Sequence, residues 1–329
     1  MKRFFMLLAA AAFFLPAQAA PQAYLLVTAK QARALSIVDA KTLKVTAQIP
    51  LGVDPHEIVI APDNRTAYVS HWGQGLLKTI SVVDLVKGTP VSEIDISPLQ
   101  GPHGMVLRGT TLWFTADRSK ALATLDIATG KVTAVLGGGQ DMTHMMWLSP
   151  DASKILASNA RSGTFSMFDK VPESTDGSWS AGYKQTLVPV GDGAEGFAVS
   201  PDAREVWVGN GDGRIPVIDM ATNKVVETIE AGTVQANRLA FTPDGKYVVV
   251  TQKRGPDLVV IDAKTHAIVK RIPIEQNGAS GIQFQPDGSR VFIACPRDHY
   301  VAVVDLKKMK LVGKIDAGRE PDGLAWWVH

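Results

Sequence analysis

Apolar residues in this chain come in short β-branched runs of four to six, broken by polar turns, with no stretch at helical period. Residues 238–273 show the unit. Arg238 to Phe241 is a short strand, and Thr242-Pro243-Asp244-Gly245 is a tight turn with Pro and Gly where a reversal needs them. Lys246 to Thr251 is a β-branched strand, Gln252 to Pro256 a polar loop, and Asp257 to Asp262 a third strand. A turn at Ala263 to Thr265 then leads into Ala267 to Ile272. This pattern predicts four antiparallel strands.

The third strand of the unit, an apolar run closing on Asp, recurs seven times, ending at Asp39, Asp84, Asp126, Asp169, Asp219, Asp262 and Asp305. The gaps are 45, 42, 43, 50, 43 and 43 residues. Self-similarity at that period signals four-stranded blades arrayed in a ring. Pro-Asp turns recur at Pro62-Asp63, Pro150-Asp151, Pro201-Asp202, Pro243-Asp244 and Pro286-Asp287. Aspartates in such turns accept backbone N–H bonds, and that structural role is the expectation for them. The ends are complementary. The N-terminal part supplies three strands (Tyr24 to Thr28, Ala34 to Asp39, Val45 to Pro50), while the C-terminus ends on a lone first strand, Asp322 to Trp327. Pairing them closes the ring and removes exposed edges. The fold class is therefore all-β, a seven-bladed β-propeller with one blade shared between the termini. Trp326 and Trp327 belong to its framework.

The phrases Ala67-Tyr68-Val69-Ser70, Ser36-Ile37-Val38-Asp39 and Phe241-Thr242-Pro243-Asp244-Gly245 resemble the YVTN or YncE-like family of bacterial β-propeller proteins. That resemblance spans essentially the whole mature chain. It implies an exported seven-bladed propeller and leaves function open, since propellers host enzymes, binders and scaffolds alike.

The first residues read as a targeting segment. Lys2 and Arg3 precede an apolar stretch, Phe4 to Leu15, and Ala17-Gln18-Ala19 has the small-x-small form of a cleavage site. The stretch is too short to span a bilayer. Residues 1–19 are thus expected to be a signal peptide and 20–329 a single domain, periplasmic or secreted. Removing Lys2 and Arg3 takes the formal charge from +2 to zero, which gives no global electrostatic case for nucleic acid or an anionic membrane. The single cysteine, Cys295, excludes an internal disulfide and reads as an inert thiol ending a strand.

Function becomes a matter of register. The residue just before each first strand falls at the channel mouth: Asp322, His56, His103 and His144 in four blades, then Glu195, Asn237 and Ser280 in the rest. Two readings are open. These positions are polar because the channel holds water, or His56, His103 and His144 form a Zn or Cu site with Glu195 or Asp322 as a fourth ligand. Met142, Met145 and Met146 tilt the second toward copper, although Met is more often core filler. A second register, eight residues before each repeat aspartate, holds Arg118, Arg161, Arg254 and Arg297. They are solvated loop charges or a collar that attracts anions, strengthened when the histidines protonate below about pH 6.5. The enlarged loop His71 to Leu76 makes His71 and Trp72 candidate ligand contacts, with Trp72 a stacking lid or a hydrophobic plug.

No nucleophile elbow, Cys–His pair or haem-attachment motif occurs. Two functions follow from different classes: a periplasmic protein binding a small anionic ligand, a metal or a partner protein through this face, and a metal-dependent enzyme with Glu195 as general base.

Overall fold

A computed structural model describes residues 22–174, 182–274 and 277–328. The expected signal peptide lies outside the described residues, as does the centre of the blade-four insertion between Val171 and Tyr183. Seven four-stranded antiparallel sheets form the chain, a seven-bladed β-propeller. Blade 1 pairs Pro321–Val328 with Ala23–Ala29, followed by Ala34–Asp39 and Val45–Pro50. Blades 2 to 7 then occupy residues 55–95, 102–137, 143–189, 197–229, 236–273 and 282–315 in order. Each blade's first strand lies toward the axis.

The shared blade is closed by aromatics as well as by the ladder. Trp327 stacks on Tyr24 with centroids 5.2 Å apart and donates to the Asn64 carbonyl at 2.9 Å in blade 2. Trp326 packs on Phe292 and donates to the Phe284 carbonyl in blade 7. Both tryptophans thus tie blade 1 to its two neighbours.

Each core lies between adjacent blades. Trp207, Ile215 and Val217 of blade 5, for instance, meet Val248, Val250 and Val259 of blade 6, all fully buried. The outer strands alternate with solvent, as Lys131–Gly137 does, because only one face meets a neighbour. The repeat aspartates do the turn work expected of them: Asp219 Oδ1 accepts from Ala221 N, Thr222 N and Thr222 Oγ1 at 2.7 to 3.1 Å. Cys295 is fully buried, which pushes its thiol up to about 12 and leaves it unreactive.

The first strands are bent by a bulge. In blade 3, Pro102 pairs with Ala116 and Met105 with Phe114, so His103 and Gly104 together oppose Thr115. The same two-against-one pairing sets His56 and Glu57 against Ser70, and His144 and Met145 against Ser158. It recurs for Asn237 and Arg238 against Thr251, and for Asp322 and Gly323 against Thr28. A bulge frees backbone groups from the ladder and re-aims a side chain. Here the opposing hydroxyl collects the freed groups. Thr115 Oγ1 accepts from Gly104 N (2.9 Å) and donates to the His144 carbonyl of the next blade (2.8 Å). Ser70 does the same between Glu57 N and the His103 carbonyl, and Thr28 between Gly323 N and the His56 carbonyl.

Blades approach one another closely at this level. A Cβ on Gly196 or Gly323 would collide with the carbonyl of Asn237 or His56 in the next blade.

Thr115→Ala should leave a buried N–H and C=O unsatisfied and cost about 1–3 kcal/mol in urea unfolding. Thr115→Ser should restore most of that loss. Gly196→Ala should lower the melting temperature by several degrees through overpacking of about 1–3 kcal/mol. A neutral result for Thr115→Ala would show that the hydroxyl bridge contributes nothing.

Candidate functional site

The bulge turns one side chain per blade toward the axis. All seven of these residues line one cavity of about 430 Å³. His56, His103, His144, Asn237 and Asp322 are each buried to within 5 %. The size suits a small molecule.

The three histidines form a continuous run across blades 2 to 4. The rings of His56 and His103 meet edge to face at 4.9 Å, and His103 and His144 lie 3.8 Å apart with planes 40° from parallel. Burial pushes both His103 and His144 well below the ordinary value of 6.5. The neighbouring positive groups add to this: His144, His56 and Arg238 for His103, and Arg238 and His56 for His144. Both imidazoles are neutral at physiological pH, so the expectation that they charge below pH 6.5 and strengthen anion attraction is corrected for these two. The Nδ1 atoms of His103 and His144 are sealed from water and have no hydrogen-bond partner.

The expected metal tetrad does not assemble in this geometry. Rings stacked at 3.8 Å do not aim their nitrogens at one point, and Glu195 is ion-paired with Lys253. Among the described residues no group of three or more His, Cys, Asp or Glu is placed to hold a metal ion. The pairing with Lys253 also takes Glu195 from the role of free general base. Of the three methionines, Met142 lines the cavity and Met146 is core.

Asp322 closes the histidine run on the other side. Burial works against its charge, but Lys30 Nζ at 3.2 Å, then His56 and Arg238, outweigh it and hold the carboxyl below the usual range. Lys30 is reciprocally held above its ordinary value: burial opposes the ammonium, and Asp322 overcomes it.

The enlarged loop of blade 2 divides the two residues expected there. His71 turns inward, with Nδ1 on the Val53 carbonyl and Nε2 on Ser81 Oγ, both at 2.7 Å. Being fully engaged away from the cavity, it is a structural residue, which corrects its placement among ligand contacts. Trp72 lines the cavity, 5.2 Å from His56 and 5.9 Å from His103. Its Nε1 donates to Asp117 Oδ2 at 2.7 Å, fixing the indole over blades 2 and 3.

The arginine register splits. All four are exposed; Arg254 and Arg297 line the cavity, whereas Arg118 and Arg161 do not and lie near Asp117 and Asp141. A full collar is therefore corrected to half of one. Two cations that the register reading missed complete the wall. Arg238 directly follows the channel residue Asn237, and Lys253 precedes Arg254. Arg238 reaches across the axis to Glu57 of blade 2 at 2.8 Å and floors the cavity, with its Nη1 buried and unpartnered. Reading one position further along each bulge would have exposed this pair, because blades 2 and 6 carry opposite charges there where blades 1, 3, 5 and 7 carry Gly.

Five cationic side chains thus line the cavity against two carboxylates. Lys30, Lys253 and Arg238 are neutralised by Asp322, Glu195 and Glu57. Among the described residues Arg254 and Arg297 form no ion pair.

Residues 191–312 match the family described as the cytochrome D1 heme domain, which covers blade 5 to most of blade 7. No curated protein sequence matches the chain. Among solved structures the chain is similar to the hydrazine synthase of Kuenenia stuttgartiensis, at 18 % identity over 82 % of this chain and 88 % of that one, with a TM-score of 0.66. It is also similar to a functionally unknown protein from Desulfotomaculum acetoxidans, at 16 % identity over 92 % and 98 % of the two chains, with a TM-score of 0.74. At such identities the likeness is one of fold, that of a β-propeller.

Stability should fall as pH drops from about 6.5 toward 5. The unfolded histidines take up protons there while the buried neutral rings do not, so the unfolded state gains. The depressed turn carboxylates act only at lower pH. Replacing His103 and His144 by Gln together should flatten the melting-temperature profile between pH 7 and 5, and an unchanged slope would place the titration elsewhere.

Proposed function

We propose that this chain is an exported binding protein whose axial cavity holds a small anionic ligand, in keeping with its YVTN or YncE-like phrases and its targeting segment. The carrying observation is a surplus of cationic donors: Arg254 and Arg297 without an ion pair among the described residues at the mouth, and Arg238 Nη1 buried without a partner at the floor. A buried donor without a partner costs about 1–3 kcal/mol, which a ligand oxyanion would recover. Guanidinium groups are suited to forked contacts with carboxylate or phosphate. A small molecule fits better than a protein loop because the wall is concave and deeply buried.

A second reading has its own support. The family match names a heme domain, and the donor set fits such a cofactor in kind: neutral imidazoles would suit its iron, and the arginines would suit acidic substituents. The matched segment supplies the cationic wall, while His56, His103 and His144 lie outside it. A bound haem would bring redox or electron-transfer chemistry, with Arg254 and Arg297 holding its carboxylates and His103 or His144 available to the iron.

Calorimetric titration with citrate should show binding that weakens as salt rises. Arg254→Ala with Arg297→Ala should lower affinity about tenfold or more with an unchanged melting temperature, because both sit in exposed loops. Affinity indifferent to salt and to this pair would overturn the anion reading. Titration with hemin separates the second reading. A Soret shift lost in His103→Ala supports it, and an unshifted spectrum removes it.

A further inference from the structure

The cavity wall is divided by chemistry. Blades 2 to 4 contribute mainly flat rings: His56, His103 and His144 in ring-to-ring contact, with Trp72 against the first two. Blades 6, 7 and 1 contribute Arg238, Lys253, Arg254, Arg297 and Lys30. The two halves face each other, as the ion pair from Arg238 in blade 6 to Glu57 in blade 2 demonstrates by crossing the axis.

The aromatic half is costly to maintain. Three imidazoles are buried in succession, two of them with a sealed Nδ1 that bonds to nothing, although the channel position accepts Asn and Ser in other blades. Water filling a polar channel gains nothing from such a surface. A π-face does, since flat rings stack on imidazole and indole with attraction beyond simple area burial. The indole is also held in place by Asp117, which fixes the aromatic wall before any ligand arrives.

On the other half, the charge left after internal pairing belongs to Arg254 and Arg297, and Arg238 adds an unpartnered Nη1 donor. That is enough for two anionic groups on one ligand.

We infer that the cavity selects a planar aromatic or heteroaromatic ring carrying two or more carboxylates, with the ring against the Trp72–histidine wall and the carboxylates toward Arg238, Arg254 and Arg297. This deepens the anion-binding reading and rests on it. It excludes simple inorganic anions and flexible aliphatic acids as preferred ligands. It also requires that selectivity and charge attraction reside on opposite walls and be separable by substitution.

The test compares two probes of equal charge, benzene-1,3,5-tricarboxylate and propane-1,2,3-tricarboxylate, by calorimetry and by quenching of tryptophan fluorescence. The aromatic probe should bind about tenfold more tightly. Trp72→Ala should erase that preference, and Trp72→Phe should keep most of it. Arg254→Ala with Arg297→Ala should weaken both probes equally. Equal binding of the two probes by the unaltered protein overturns this inference and leaves the anion-binding reading standing. Failure of both probes to bind overturns the two together. Because the decisive comparison uses the unaltered protein, it does not depend on the stability of the Trp72 variants.

Discussion

A single hydroxyl on the second strand of most blades does three things at once. Thr28, Ser70, Thr115, Ser158 and Thr251 each oppose two residues of the first strand and accept the N–H that the bulge has freed. Each then donates to the carbonyl of the channel residue in the next blade. The bond is local in sequence on one side and crosses blades on the other, so it fixes the bulge and the spacing between blades together. Blades 5 and 7 carry Gly209 and Ala294 at this place, and there the backbone N–H bonds the first strand directly at 2.9 Å. The close approach that results explains why Gly196 and Gly323 stand beside the channel residues.

With the backbone held in this way, the side chain of each channel residue can vary from blade to blade. Asp, His, Glu, Asn and Ser all occupy the same geometry. The electrostatics of the cavity then follow from crowding. Seven polar residues brought together in a water-poor space cannot all be charged. His103 and His144 yield and stay neutral, whereas Asp322 keeps its charge because Lys30 lies 3.2 Å away. The remaining cations pair with Glu57 and Glu195 until the carboxylates run out, which leaves Arg254 and Arg297 at the mouth.

The fold was legible because each repeat writes its strands and turns separately. Seven aspartate-terminated runs and two complementary half-blades admit one ring closure, and Trp326 and Trp327 sit where that closure put them. The channel register was legible for the same reason, since equivalent positions in a ring meet at the axis. What the sequence concealed was side-chain direction. His71 is the last residue of its strand and points into the blade, while Trp72 has already turned into the short helical turn at 73–75, which carries its indole over the cavity. The arginine register failed in blades 3 and 4, where Arg118 and Arg161 do not line the cavity. The metal tetrad failed because equal register gives adjacency of backbones, which does not by itself gather four donors to one point. Arg238 was missed because attention to the polar channel position stopped one residue short of the bulge's second member.

That second member is where the ring stops being a repeat. Gly occupies it in blades 1, 3, 5 and 7, Glu57, Met145 and Arg238 in blades 2, 4 and 6. Glycine there lets the next blade in; a larger residue must send its side chain along the axis instead. With only three such residues and opposite charges on two of them, one ion pair spans the channel and converts an open pore into a cavity with a floor. The floor has a preferred side, because Arg238 arrives from the blades that also bear Lys253, Arg254 and Arg297, while Glu57 arrives beside the histidines. Glu57 partly cancels the charge at the end of Arg238 but leaves its Nη1 edge unpartnered. A ring of nearly equivalent blades therefore acquires a polar axis from one side-chain pair, and the asymmetry needed to orient a ligand follows from the alternation of small and large residues beside the bulge.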